Sequence, residues 1–159
     1  MIIQKMRLKN WKNFRDAEMT FTERVFIVGP NAAGKSNLLD AVRFLRDIVK
    51  KGGGLQYAVE SRGGISKIRC LSAGKESHVT LEAHLAEDEK KPADWIYRLS
   101  LNDDAKNISE VMIVQEKVWG EKAGEWILER TPDTGEEDAE TLRATHLEQP
   151  SSNKAFRDI

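Results

Sequence analysis

The sequence predicts an α/β lobe in which a mixed β-sheet surrounds one main helix and an antiparallel β-subdomain follows. Three observations carry this. Ile2 to Lys9 sets Ile3, Lys5, Arg7 and Lys9 against Ile2, Met6 and Leu8, the two-residue period of a strand with one apolar face, broken only by Gln4. Leu38, Leu39, Ala41, Val42, Leu45, Ile48 and Val49 recur at the spacing of an amphipathic helix. From Ile65 onward, alternating segments are separated by polar turns, the pattern of a meander.

In chain order, the first strand runs into the loop Asn10-Trp11-Lys12-Asn13-Phe14-Arg15, followed by short strands at Ala17 to Phe21 and Arg24 to Val28. The main helix comes next, with Lys50-Lys51 near the negative end of its dipole and Gly52-Gly53-Gly54 as its stop. Strands are then expected at Ile65 to Leu71, His78 to Leu85, Trp95 to Leu101, Glu110 to Trp119 and Trp126 to Arg130. Asn102-Asp103-Asp104, Gly120 to Gly124 and Pro132 to Gly135 are the expected turns, and Glu87 to Pro92 a charged loop. The Trp and β-branched content fits half-buried strands, so core or sheet packing is the expected role of Trp95, Trp119 and Trp126. This divides the chain into a core at 1–54, a β-subdomain of the same lobe at 55–148, and a loop with the start of a helix at 149–159.

Between the third strand and the helix lies Gly29-Pro30-Asn31-Ala32-Ala33-Gly34-Lys35-Ser36, a complete G-x-x-x-x-G-K-[ST] phosphate-binding loop. Gly29 and Gly34 lack a Cβ, so the backbone can wrap an anion and present several N–H groups to it. Pro30 stiffens the turn. A helix opening at Gly34-Lys35 aims its unpaired N–H groups and positive dipole end at the same phosphates. Lys35 adds a mobile charge that reaches the β- and γ-phosphates, Ser36 is the expected Mg²⁺ ligand, and Asn37, just after the motif, is a further candidate for cofactor binding. The loop as a whole implies a nucleoside triphosphate with Mg²⁺.

The 159 residues are 40% hydrophobic and 32% charged, with net charge −1, enough for one core and about one domain. No apolar run approaches a membrane span, and Lys5, Arg7 and Lys9 stand where a signal peptide would be apolar, so a cytoplasmic protein without a membrane partner is expected. The single cysteine, Cys70, excludes an internal disulfide and reads as a small buried residue. Charge is uneven. Lys5, Arg7, Lys9, Lys12 and Arg15 precede the first acid, Asp16, while Glu121 to Glu148 is mostly acidic. Solvated faces account for both, with a DNA-facing basic edge as the other reading.

Two stretches imitate further parts of an ATPase. Val111-Met112-Ile113-Val114-Gln115-Glu116 resembles the strand that ends in catalytic acids, but Gln-Glu replaces Asp-Glu and strand alternation explains it. Leu71-Ser72-Ala73-Gly74-Lys75 resembles a signature that must open a helix, whereas Val79, Leu81, Ala83 and Leu85 announce a strand. His78 and His84 share one strand face too far apart to chelate one ion, and His146 is remote in sequence.

The connection Asn10 to Arg15 together with Gly29 through Val42 resembles the N-terminal lobe of ABC-type ATPase heads of the RecF/SMC kind, a P-loop NTPase lobe, and more closely the bacterial predicted AAA-family ATPases related to the OLD group. Arg62-Gly63-Gly64-Ile65 and Thr145 to Gln149, with Asn153 and Phe156-Arg157, extend the likeness more weakly. The resemblance implies that Gln149 reaches Mg²⁺ and the attacking water, and that Lys12 and Asn13 lie near base and ribose. It implies ATP as ligand, a second copy or a C-terminal lobe as partner, and a DNA-linked role in repair or phage defence. Families of this type carry their signature helix and Asp-Glu strand in a C-terminal half, so a fragment, or a chain completed by another polypeptide, is expected to bind ATP without efficient turnover. The competing readings are a non-catalytic, nucleotide-gated interaction module and a P-loop small-molecule kinase. A GTPase is disfavoured because no N-K-x-D motif occurs.

Overall fold

The computed structural model describes residues 1–74, 78–103, 110–131 and 141–148. Six strands form one sheet: β1 (Ile2–Trp11), β2 (Phe14–Thr20), β3 (Val79–Ala86), β4 (Trp95–Asp103), β5 (Val111–Gly120) and β6 (Glu125–Arg130), in the order β2-β1-β3-β4-β5-β6. Every pairing among them is antiparallel. Helices α1 (Lys35–Val49), α2 (Leu55–Glu60) and α3 (Ile65–Ile68) come between β2 and β3.

Alternation assigns the two faces. Leu8 pairs with Leu81 and Leu81 with Leu99, and all three are fully buried. Leu38, Ala41, Phe44 and Ile48 of α1 join them in one core, each large side chain contributing about 1.5–3 kcal/mol by burial. The opposite face is charged and paired across strands: Lys5 with Glu18 (2.8 Å), Arg7 with Asp16 (2.9 Å), Arg98 with Glu82 (2.5 Å) and Lys117 with Glu129. Of the basic residues near the N-terminus, Lys5 and Arg7 are thus neutralised across the sheet, as a solvated charged face requires.

Three segments differ from the sequence expectation. Ile65 to Leu71 was expected as a strand, but Ile65 and Ile68 are both buried within a short helix; apolar residues three apart satisfy a helix turn as well as a strand. Residues 55–60, assigned to no element by pattern, form α2 with Leu55, Ala58 and Val59 buried. Arg24 to Val28 was expected as the third strand, yet it carries no strand assignment, and Phe26 and Val28 are each 88% exposed. A strand apolar on both faces is normally covered on both, and the described residues leave the Phe26 and Val28 face uncovered. The turn at 132–135, Gln149 and the tail from Pro150 lie outside the described residues.

The acid that imitates a catalytic carboxylate has a structural role. Ser100 pairs with Gln115 and Leu101 with Ile113, so Val114 is the extra residue of a β-bulge that shifts the alternation and turns Glu116 into the core. Its carboxylate meets Arg130 (2.8 Å), accepts the Tyr97 hydroxyl (2.9 Å) and accepts the His146 N–H (3.2 Å to each oxygen). Burial pushes Glu116 up from the usual carboxylate range against the opposing Arg130 charge, and burial also pushes Tyr97 up. Arg130 donates in addition to the carbonyls of Thr141 and Ala144, so this buried cluster pins the segment 141–148 to the sheet.

Candidate functional site

The phosphate loop takes the backbone that its sequence demands. Gly29 (φ 155°), Ala32 (φ 64°) and Gly34 (φ 100°) all have positive φ, and residues 29–33 are exposed to solvent. Gly34 caps α1 with no side-chain hydrogen bond, and no acidic residue stands in the first turn. The helix mouth is therefore left to its own N–H groups and positive dipole end. A Cβ on Gly34 would lie 2.5 Å from Asn13 Nδ2 and 2.9 Å from Phe14 Cζ, so glycine is required there by contact as well as by conformation.

Lys35 reaches back over the loop, its ammonium 2.6 Å from the carbonyls of both Gly29 and Pro30. Phosphate oxygens are the acceptors that would exchange for those carbonyls. Ser36 is exposed beside it, its hydroxyl the type of hard oxygen donor that suits Mg²⁺. The cradle, the uncapped helix and the ammonium together fit a triphosphate–Mg²⁺ group.

The β1–β2 turn is locked against this loop. Lys12 takes the left-handed region (φ 50°), as the first central residue of a primed hairpin turn does. Asn37 donates to Asn13 Oδ1 (2.7 Å), and the buried Trp11 donates from Nε1 to the carbonyl of Asn37 (2.9 Å) while packing edge-on against Phe44 (5.2 Å). Lys12 N–H donates to Ile68 (2.6 Å), and Cys70 N–H to the carbonyl of Asn10 (2.8 Å). Lys12, Asn13 and Asn37 consequently share a cavity of about 730 Å³ with Lys67, Arg69 and Ser72. Arg69 is fixed by Asp103 (2.9 Å) and Asn102 (2.6 Å), its side chain 10% exposed. Its Nε is buried with no hydrogen-bond partner among the described residues.

Of the residues marked from the sequence, Gly29 to Asn37, Lys12 and Asn13 are thus brought together, while Gln149 lies outside the described residues. Lys67, Arg69 and Ser72 were not marked, and neither were Asp40 and Asp47 of α1. Arg62 joins those two acids: its Nε lies 3.1 Å from both oxygens of Asp40, and its Nη2 lies 3.1 Å from Asp47 Oδ2. Burial opposes ionisation of Asp47, but hydrogen bonds from Arg46, Lys50 and Arg62 outweigh it and hold the carboxyl at about 2. Asp40 is likewise lowered, burial being overcome by Lys12 and Arg62. Only the Arg62-Gly63-Gly64 stretch gave a signal in the sequence. His84 is engaged with Glu82 (2.8 Å), and the described residues contain no group of three or more His, Cys, Asp or Glu suited to a metal ion. Among them no helix is long and apolar enough to cross a membrane.

The family described as "AAA domain, putative AbiEii toxin, Type IV TA system" matches residues 24–154. The DNA double-strand break repair Rad50 ATPase of Thermoplasma acidophilum is 38% identical over 76 residues, covering 40% of this chain and 8% of that protein. An ATP/GTP phosphatase of Helicobacter pylori is 49% identical over 45 residues, covering 28% and 12%. The DNA replication and repair protein RecF of a Synechococcus species is 44% identical over 46 residues, again covering 28% and 12%. The matched region therefore spans at most 12% of the length of these relatives. A solved chain of the SMC ATPases superposes with a TM-score of 0.49 at 18% identity, covering 79% of this chain and 72% of that one. The RecF/SMC-like P-loop lobe expected from the sequence agrees with the family match and these relatives.

Proposed function

The chain belongs to that AAA-domain family, and we propose that it binds ATP with Mg²⁺ through Gly29 to Ser36 as the N-terminal lobe of an ABC-type ATPase. The observation that carries the proposal is the loop itself, exposed, positive in φ at Gly29, Ala32 and Gly34, and opening an uncapped helix. Gly29, Pro30, Asn31, Ala32, Ala33 and Gly34 supply the backbone cradle, Lys35 the charge on the β- and γ-phosphates, and Ser36 the metal's hydroxyl ligand. The cavity lined by Lys12, Asn13, Asn37 and Arg69 takes the nucleoside. Magnesium, when bound, neutralises charge on the phosphates, and Gln149 is proposed as the residue that reaches the metal and the attacking water.

A partner lobe is part of the proposal. Val25, Phe26, Ile27 and Val28 are apolar on both faces and exposed, the composition of an interior strand. Beside them, a hollow of about 320 Å³ lined by Ile2, Ile3, Phe21, Val25 and Val42 adjoins one of about 440 Å³ lined by Val42, Leu45, Leu85, Trp95 and Val118. A C-terminal lobe of the same ATPase, or a second copy, is the proposed cover, and hydrolysis belongs to the completed head. Two relatives named for DNA repair support a DNA-linked role for that head, and the proposed compartment is the cytoplasm. The same exposed segment favours, as a second reading, a non-catalytic module whose docking is gated by nucleotide.

Calorimetry with ATP–Mg²⁺ alongside a phosphate-release assay separates these. Binding that is lost in Lys35→Ala, with turnover only when the partner lobe is supplied, is the result expected of the ATPase lobe. Binding without turnover in the completed head would favour the module, and no binding would refute both.

A further inference from the structure

Lys12 stands at the rim of the cavity beside the phosphate loop, and its place there is set by other residues. Its ammonium lies 2.6 Å from Asp40 Oδ2, one helical turn after Ser36 on the helix that opens the phosphate site. Asp40 is not held by Lys12 alone. Arg62 meets both of its oxygens at 3.1 Å. Arg62 is in turn immobilised: its side chain is 8% exposed, its Nη1 donates to the carbonyl of Ala58 (2.6 Å), its Nη2 meets Asp47, and its guanidinium lies over the Phe44 ring at 5.2 Å. A planar fork presented to a carboxylate fixes that carboxylate's direction as well as its charge.

The arrangement is asymmetric. An isolated exposed Lys–Asp pair would contribute little and wander, but here the acid is oriented from behind, with side-chain exposures of 25% for Lys12 and 20% for Asp40. Because Arg62 pairs Asp40 independently of Lys12, the carboxylate keeps its direction and stays partnered whatever the Lys12 ammonium meets in the cavity. The backbone on the other side is anchored too, by the Lys12 N–H bond to Ile68. The backbone of Lys12 is therefore fixed, and its side chain lies between Asp40 and the cavity.

We infer that Asp40 is a positioning residue for nucleotide binding, holding the Lys12 ammonium at the nucleoside side of the site with Arg62 as its fixed backing. The inference rests on the reading of Gly29 to Ser36 as the phosphate site, and it assigns to Asp40 no contact with the ligand.

The test uses the full chain and two ligands, ATP–Mg²⁺ and tripolyphosphate–Mg²⁺, titrated by calorimetry against wild type, Lys12→Met, Asp40→Asn and the double variant, with thermal melts beside each. Asp40→Asn is expected to weaken ATP about tenfold, the scale of one charge-assisted contact, while leaving tripolyphosphate affinity unchanged. Lys12→Met should do the same, and the double variant should lose no more than Lys12→Met alone. Equal loss for both ligands, or additive losses in the double variant, would overturn the inference. Should Asp40→Asn fail to fold, Arg62→Lys replaces it: a selective loss of ATP affinity supports the inference, and unchanged or equal affinities overturn it. Wild type that binds neither ligand, or Lys35→Ala that binds both normally, would defeat the phosphate-site reading itself and this inference with it.

Discussion

Strand β3 and the segment Val25–Val28 both read as strands in the sequence, yet they meet opposite fates. In β3, Val79, Leu81 and Ala83 are at most 2% exposed, with β1 and β4 paired on either side. In Val25–Val28, alternate residues are almost wholly exposed and no ladder forms. The difference lies in the other face. β3 turns Thr80, Glu82 and His84 outward, where Thr80 meets Ser100 and Glu82 meets Arg98 across the strands and His84 meets Glu82 within β3, so one layer of core completes it. Val25–Val28 has no polar face to give to water, so it needs cover on both sides. A sheet completed by its own residues thus stands beside an apolar segment that the described residues leave exposed.

The largest way to break this contrast lies on the finished side. Arg130→Ala strands the fully buried Glu116 carboxylate and is expected to cost about 3–5 kcal/mol of stability, read as a fall in denaturant midpoint. Next, Lys35→Ala should leave that midpoint unchanged while weakening ATP–Mg²⁺ binding at least about a hundredfold, beyond what calorimetry detects, since its ammonium is the mobile charge of the loop. Gly34→Val combines both effects: a Cβ meets Asn13 and Phe14 and the φ of 100° disfavours any side chain, so a stability loss of about 1–3 kcal/mol is expected together with lost nucleotide binding.

Phe26→Asp with Val28→Asp sharpens the contrast from the other direction. Both side chains are 88% exposed, so the unfolding free energy read from a denaturant melt should hold within about 0.5 kcal/mol, whereas the same change at Leu81 should unfold the chain. The smallest effect concerns pH. Asp47 is held at about 2 against about 3.9 in an unfolded chain, so its contribution is complete above pH 4 and is lost as pH falls toward 2. A melt series across that window should show a slope that flattens in Asp47→Asn.

What was legible in the sequence was local. The phosphate loop is a contiguous motif, α1 shows its stripe, and β4, β5 and β6 announce themselves by period and turns. What escaped depends on distance or on one residue of slippage. Helices α2 and α3 are too short for periodicity to separate from strand. The bulge at Val114 reverses which residues of β5 face inward, so alternation alone could not place Glu116 in the core. Asp40, Arg62 and Arg69 meet partners 22 to 34 residues away, and no sequence pattern encodes those pairings. The exposure of Val25–Val28 followed from nothing in its own composition, which reads as a buried strand.

The central claim is that Gly29 to Ser36 forms an anion cradle at a helix mouth that holds the triphosphate of ATP. Isothermal titration of the folded chain with ATP in the presence and absence of Mg²⁺ tests it most directly. Saturable, magnesium-enhanced binding of one nucleotide per chain, abolished by Lys35→Ala, is the predicted result. Absence of any magnesium-dependent heat from a chain whose melt shows it to be folded would contradict it.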